Sequence, residues 1–243
     1  MTTTAFISGA SHGIGKAIAY RLASYGYHLA LNCKNSKAEL TQLCMELERQ
    51  YGIRALPLIG DIGDYSTVCR LFEQIRQQMG DIDLLVNNAG ISWIGLLSDM
   101  DVRDWQQMMD TNLSSVFYCC KMTIPGMVRK QSGKILNISS VWGEVGASCE
   151  AAYSAAKGGV NALTKALAKE LAPSGIQVNA IACGCIDTRM NACFDPQERN
   201  ALEQEIPAGR YGTPQEVAAL ACQLLHANAY LTGQIIKLDG GWI

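Results

Sequence analysis

Short apolar runs rich in Val, Ile and Leu alternate along the chain with longer segments whose apolar positions recur at helical spacing. The short runs predict strands near 4–8, 28–32, 54–59, 82–86, 133–138, 176–181 and 234–238. The amphipathic segments predict helices near 14–25, 37–50, 65–79, 101–111, 113–130, 152–171 and 214–226. Strand followed by helix, repeated, is the pattern of βαβ units. Right-handed crossovers then put helices on both faces of a doubly wound, seven-stranded, mostly parallel sheet. The expected class is α/β, one domain over 1–243, with ligands entering the crevice at the carboxyl ends of the strands where strand order reverses.

One stretch breaks this rhythm. Over about 184–213, Gly184, Asp187, Asn191, Asp195-Pro196, Pro207 and Gly209 interrupt the pattern, while Met190, Phe194, Leu202 and Ile206 keep it partly apolar. It reads as a mobile flap over a substrate pocket, with a plain surface loop as the alternative.

Composition narrows the field. The 243 residues suffice for a large core, and 49% hydrophobic against 17% charged residues argues against disorder. A net charge of -2 leaves no footprint for nucleic acid or an anionic membrane, so an anion must be held locally. Met1-Thr2-Thr3-Thr4 runs into Ala5-Phe6-Ile7 without the pattern of a signal peptide, and no apolar run reaches membrane-spanning length. The expectation is a cytoplasmic protein with its ten cysteines reduced. No CxxC occurs and His12, His28 and His226 are scattered, so no metal site is expected.

Ser8-Gly9-Ala10-Ser11-His12-Gly13-Ile14-Gly15 follows the first strand and opens the first helix. Glycines 9, 13 and 15 permit a tight turn and close backbone approach, and the free amides of the helix start suit a dinucleotide pyrophosphate. Tyr153 and Lys157 are four apart on a helical segment, so they share a face one turn apart. An ammonium beside a phenol is expected to lower the tyrosine pKa from about 10 toward the working range of a general acid/base. Ser140, at the end of the fifth strand, can enter the same crevice, whereas alternation sends Ser139 to the other side.

The GxxxGxG turn, Asn87-Asn88-Ala89-Gly90 and Tyr153-Ser154-Ala155-Ala156-Lys157 together resemble the short-chain dehydrogenase/reductase family, from Thr4 to Asp239-Gly240-Gly241. The resemblance implies a Rossmann-type fold and an enzyme acting on CH-OH groups. It places Gly9, Ser11, His12, Gly13, Ile14 and Gly15, with Asn87, Asn88, Ala89 and Gly90, on the cofactor side. It gives Tyr153 the role of proton donor to the carbonyl oxygen, Ser140 a hydrogen bond to that oxygen, and Lys157 the tuning of Tyr153 and the nicotinamide ribose. Asn112 matches an asparagine that orders a water behind the lysine; as a plain sequence feature it is a helix-breaking cap. Asp61 and Ile62 match the adenine contact, although Asp61, like Asp64, could instead cap the next helix. Gly184, Ile186 and Thr188 match the segment that caps the nicotinamide, with Cys183 where the family usually has proline. A thiol near the nicotinamide suggests inactivation by alkylating agents, with protection by NADPH.

Cofactor choice is read at the end of the second strand. Cys33 aligns with the acid usual in NAD-binding relatives, and Lys34, Asn35 and Ser36 can hold a 2′-phosphate, so NADP(H) is favoured over NAD(H). His12 stands where NADP-preferring members often carry Arg or Lys, a charge that is conditional near neutral pH.

Asn179-Ala180-Ile181-Ala182, the run from Ile206 to Gly212 and the late Gly-Gly look most like 3-oxoacyl-carrier-protein reductases, but sugar, polyol and hydroxysteroid dehydrogenases share them. The partner is thus a small ketone or alcohol, with acyl carrier protein a further possibility. Arg129 and Lys130 could meet an acidic carrier; Gln131 and Ser174 replace expected bases, and Glu144 and Glu150 flank the pocket wall unhelpfully, though they could hydrogen-bond a hydroxylated substrate. A non-catalytic dinucleotide-binding regulator or scaffold remains the reading of another class. Long apolar helices at 101–130 and 152–171 suggest a homotetramer.

Overall fold

The computed structural model describes residues 3–192, 194–226 and 228–243. Met1 and Thr2, part of the amino-terminal reading, and Cys193, inside the predicted excursion, lie outside the described residues.

The apolar runs form seven strands: β1 (Thr4–Ile7), β2 (His28–Cys33), β3 (Ala55–Ile59), β4 (Leu84–Asn87), β5 (Gly133–Ser140), β6 (Ile176–Cys183) and β7 (Ile235–Leu238). They pair in parallel, in the order β3-β2-β1-β4-β5-β6-β7, so the order reverses between β1 and β4. Period-two alternation divides the core into two layers. Ala5 and Ile7 of β1 and Leu84 and Val86 of β4 face one layer, and Phe6 and Leu85 face the other.

Helices α1 (Gly13–Ser24), α2 (Lys37–Tyr51) and α9 (Pro214–Leu225) cover the first layer through Ile18, Leu22, Leu40, Leu43 and Val217. The second lies under α3 (Tyr65–Met79), α5 (Ser115–Lys130) and α7 (Ala151–Leu171), through Val68, Leu71, Val116 and Val160. Burying each such side chain stabilises the fold by roughly 1.5–3 kcal/mol. No helix among the described residues is long and apolar enough to cross a membrane.

Three expectations change. The predicted break near Asn112 is no break: α4 (Val102–Met109) runs through a π turn, Asp110–Ser114, directly into α5. The cap of α3 is Asp64, whose carboxylate accepts from the Ser66 and Thr67 amides at 3.3 and 2.9 Å, and Asp61 is left for another use. The 184–213 excursion is not all loop, since it contains α8 (Pro196–Glu205). Asp195 and Glu198 close a reciprocal capping box there, whose Asp-x-x-Glu spacing is readable from sequence. The periodicity hid α8 because its polar residues leave almost no apolar stripe. The four-residue α6 (Trp142–Val145) was likewise too short to give a period.

Candidate active site

The β1–α1 turn shows why glycine is needed. Gly9 has φ 64°, and a Cβ there would stand 2.8 Å from Ala89 Cα; Gly13 has φ 56°. Gly15 has an ordinary helical backbone, but a Cβ on it would collide with the Gly9 carbonyl. Ser8 Oγ accepts from the Asn88 and Ala89 amides at 3.0 and 3.1 Å, and Asn88 Nδ2 donates to the Ser8 and Gly9 carbonyls at 2.9 and 3.0 Å. His12, the cap residue of α1, makes no side-chain cap bond, so the first helical amides are left available for an anion.

This turn opens on a cleft of about 470 Å³ at the β1/β4 reversal, running from Lys34 at the end of β2 to Tyr153 on α7. Gly9, Ser11, His12, Gly13 and Ile14 line it, as do Lys34, Asn35, Ser36, Asp61 and Ile62. Asn88, Ala89, Gly90, Ser140, Tyr153, Lys157, Gly184, Ile186 and Thr188 complete the predicted wall. Gly15, Asn87 and Asn112 do not line it. Asn87 is buried in the sheet, donating to Asn137 Oδ1 at 2.9 Å. Asn112 spends its amide on Ile91, donating to the carbonyl and accepting from the N–H, both at 2.8 Å. Gly90 separates it from the cleft: a Cβ on Gly90 would stand 3.1 Å from Asn112 Oδ1 and 3.7 Å from Lys157 Nζ.

At the β2 end the expected charge balance is altered. Lys34 Nζ pairs with Asp61 Oδ2 at 2.6 Å, so a carboxylate does stand at this end of the cleft and Lys34 is already engaged. The residues lie 27 positions apart, and only the parallel β2/β3 pairing brings their loops together. His12 shares a hydrogen bond with Ser11 Oγ at 2.8 Å, and burial, helped by nearby Arg189, holds its pKa below the ordinary value, which disfavours a positive charge there.

At the other end Ser140 and Tyr153 line the cleft together, near enough for the serine to bear on the phenol electrostatically. Ser140 Oγ also accepts from the Trp142 amide at 3.2 Å. Lys157 Nζ sits 5.6 Å from the Tyr153 ring centre and donates to the Ile138 carbonyl at 2.8 Å. The expected acidification of the phenol is overturned here. Burial pushes the Tyr153 pKa up, with Cys183 and Glu150 adding to the rise and only the nearby Ser140 hydroxyl opposing it. Burial also lowers Lys157 to about 8, since each buried group disfavours its charged form. The phenol therefore keeps its proton and can donate it.

Ser139 also borders the cleft, but its Oγ bonds Asn161 Oδ1 at 2.6 Å and so ties β5 to α7. Cys183 borders the cleft as well. Burial pushes its pKa up to about 12, so it is a thiol rather than a reactive thiolate, and rapid alkylation is no longer expected.

Sequence reasoning missed two tryptophans of the cleft. Trp142 and Trp242 line it with ring centres 4.8 Å apart, beside Phe194 and Leu202 from the apolar positions of the 184–213 excursion. Trp242 is positioned by Asp239, whose carboxylate accepts from the Gly241 and Ile243 amides at 3.0 and 3.1 Å. No motif marked it. The flap helix is held by Arg199, which pairs with Asp187 at 3.0 Å and lies 4.5 Å over the Tyr211 ring. Arg129 and Lys130 pair with Asp81 and Asp83 at 3.3 and 2.8 Å.

The sequence model described as short chain dehydrogenase matches residues 3–199. The uncharacterized oxidoreductase YmfI of Bacillus subtilis is 43% identical over 243 residues, covering 100% of this chain and 99% of its own. The 3-oxoacyl-[acyl-carrier-protein] reductase FabG of Staphylococcus aureus is 38% identical, covering 99% of this chain and 98% of its own. A crystal structure from Agrobacterium tumefaciens, provisionally named a gluconate dehydrogenase, superposes with a TM-score of 0.93 at 36% identity, covering 99% of this chain and 95% of its own.

Proposed function

The chain belongs to the short chain dehydrogenase family and is an oxidoreductase, and from that premise we propose that it moves hydride between NADP(H) and a small ketone or its alcohol. The observation that carries the reading is that Ser140, Tyr153 and Lys157 line one end of a cleft whose other wall is the glycine turn, with Lys157 Nζ 5.6 Å from the Tyr153 ring centre. The turn fits a dinucleotide, because the spaces that Cβ atoms at Gly9 and Gly15 would take are already filled by backbone, and the α1 amides are left for a pyrophosphate. When bound, the dihydronicotinamide supplies the hydride that reaches the carbonyl carbon. Tyr153 gives its phenolic proton to the substrate oxygen, and Ser140 donates a hydrogen bond to the charge developing there. Lys157, backed by Ile138, holds the ribose and keeps a cation behind the phenol as the proton leaves. Asn112 acts from behind the wall by fixing Ile91 next to Gly90. Gly184, Ile186 and Thr188, which line the cleft, would hold the nicotinamide.

The preference for NADP(H) rests on Lys34, Asn35 and Ser36 and on a thiol, Cys33, where an acid would repel the 2′-phosphate. The first substrate class to test is a 3-oxoacyl thioester, as the names of the Staphylococcus relatives suggest. With Arg129 and Lys130 already paired to aspartates, we expect small thioesters to serve without the acyl carrier. A second reading, a sugar- or polyol-type substrate, is favoured by Glu150 in the same wall. Val102, Trp105 and Phe117, exposed on α4 and α5, support a homotetramer, and the nine described free cysteines support the cytoplasm.

The decisive experiment is Tyr153→Phe. Turnover of acetoacetyl thioesters should fall at least a thousandfold while NADPH binding, read by cofactor fluorescence, stays within about threefold. A variant that still turns over would remove tyrosine as the acid and favour another donor.

A further inference from the structure

Glu150 is the residue immediately before α7, one turn ahead of Tyr153. An acid at that place ordinarily caps the helix, accepting from its first amides. This one makes no side-chain cap bond. Its side chain instead borders the cleft, close enough to the reacting end to raise the pKa of Tyr153 electrostatically. Among the described residues no Lys or Arg forms an ion pair with it, and Lys237 approaches Glu144 instead, at 3.8 Å. Burial raises the Glu150 pKa and the Trp142 side chain opposes that rise, so the indole lies beside the carboxylate, and Trp142 in turn packs against Trp242. A carboxylate offers about four acceptor sites, and even a hydrogen bond from that indole N–H would leave most of them unfilled.

Resting on the reading of Tyr153 as proton donor, we propose that Glu150 is a specificity-determining residue that accepts hydrogen bonds from a hydroxyl next to the reacting carbon, selecting hydroxylated ketones and the matching polyols. A half-buried acceptor with spare capacity favours a ligand that brings donors and penalises one that strips its water without replacing it. A carboxylate on the substrate would meet like charge at this point. The two indoles supply apolar faces for the C–H side of a hydroxylated chain, the pairing of flat aromatic and hydrogen-bonding groups that such a molecule needs. Among the described residues no second acid lines this end of the cleft, since Asp61 lies at the other, so the site is built for hydroxyl donors rather than for an ammonium.

The test uses hydroxyacetone and butanone, which differ by a hydroxyl in place of a methyl, with NADPH and NADH each supplied at saturation. In the wild-type protein hydroxyacetone should be favoured at least tenfold in kcat/KM, with most of the preference in KM. Glu150→Met should shrink that ratio about tenfold, and Glu150→Gln, which keeps one acceptor, should shrink it less. Because the variants report on folding as well, the wild-type protein holding NADP+ provides a separate measurement: erythritol should quench its tryptophan fluorescence saturably and 2-butanol should not. An unchanged ratio in Glu150→Met, or no saturable quenching by erythritol, overturns the assignment while leaving ketone reduction intact. Failure of the wild-type protein to reduce either ketone or any 3-oxoacyl thioester, despite binding NADPH, sinks the proposed function and this assignment with it.

Discussion

At the scale of single residues, charges in this cleft are decided by burial and by partners distant in sequence. Lys157 is the clearest case. Its pKa in the folded protein is about 8, below the ordinary lysine value of about 10.4, so between those values the unfolded chain binds more protons than the native one. Stability must then rise as pH increases from 8 toward 10.4, and the contribution is lost as pH falls back through 8. Urea unfolding of the cofactor-free protein should show this rise in the difference between wild type and Lys157→Met; a difference independent of pH would show that Lys157 is not buried as a weak base. The Lys34–Asp61 pair yields a second test. Freeing the lysine with Asp61→Asn should improve NADPH relative to NADH severalfold in Kd, and Lys34→Asp should weaken NADPH far more than NADH. Parallel losses for both cofactors in Lys34→Asp would mean that the lysine does not read the phosphate. The sign of the Tyr153 shift and the Lys34–Asp61 contact were both illegible in the sequence, because spacing along a helix reports neighbours but says nothing of dielectric or of loops joined across a sheet.

At the scale of elements, what could be read depended on period and punctuation. The seven strands and the long helices have enough residues to show an apolar repeat, and their ends fall within a few residues of the expected places. Helix α8 lacks that repeat, and only its capping box betrayed it. It is fastened by Arg199 to Asp187, in the segment that runs between Ile186 and Thr188 on the cleft wall. Both side chains are substantially exposed, so the pair itself adds only about 0–1 kcal/mol to stability. Its effect should appear in the flap: Arg199→Ala should raise KM for the ketone several-fold with little change in thermal midpoint. Equal KM values in the two proteins would show that the flap is placed by its apolar contacts alone. The glycine turn was read correctly as a turn, yet Gly15 serves it by leaving room for the Gly9 carbonyl rather than by a positive φ.

For the whole molecule, the sheet divides the interior into two cores that share only the strands. Leu22 on α1 and Leu85 on β4 belong to opposite layers, and both are fully buried. Truncating either to alanine should cost about 2–5 kcal/mol in chemical denaturation, and since the two belong to separate apolar clusters the double variant should be near additive. A strongly non-additive result would show that strain crosses the sheet. Tyr153 and Ser140 were legible because a helix turn and a strand end carry them, whereas Trp242 reaches the cleft only through the return of the chain after β7.

The π turn at Asp110–Ser114 inserts one residue's worth of winding into the α4–α5 rod. It thereby sets the angular phase of everything that follows, so that Val116 and Cys119 point inward and Phe117 outward. Deleting one residue there would rotate α5 by about 100° relative to α4, unclasping Asn112 from Ile91 and turning Phe117 toward the interior in the same stroke. The inner lining behind the lysine and the exposed outer face are thus two readings of a single dial.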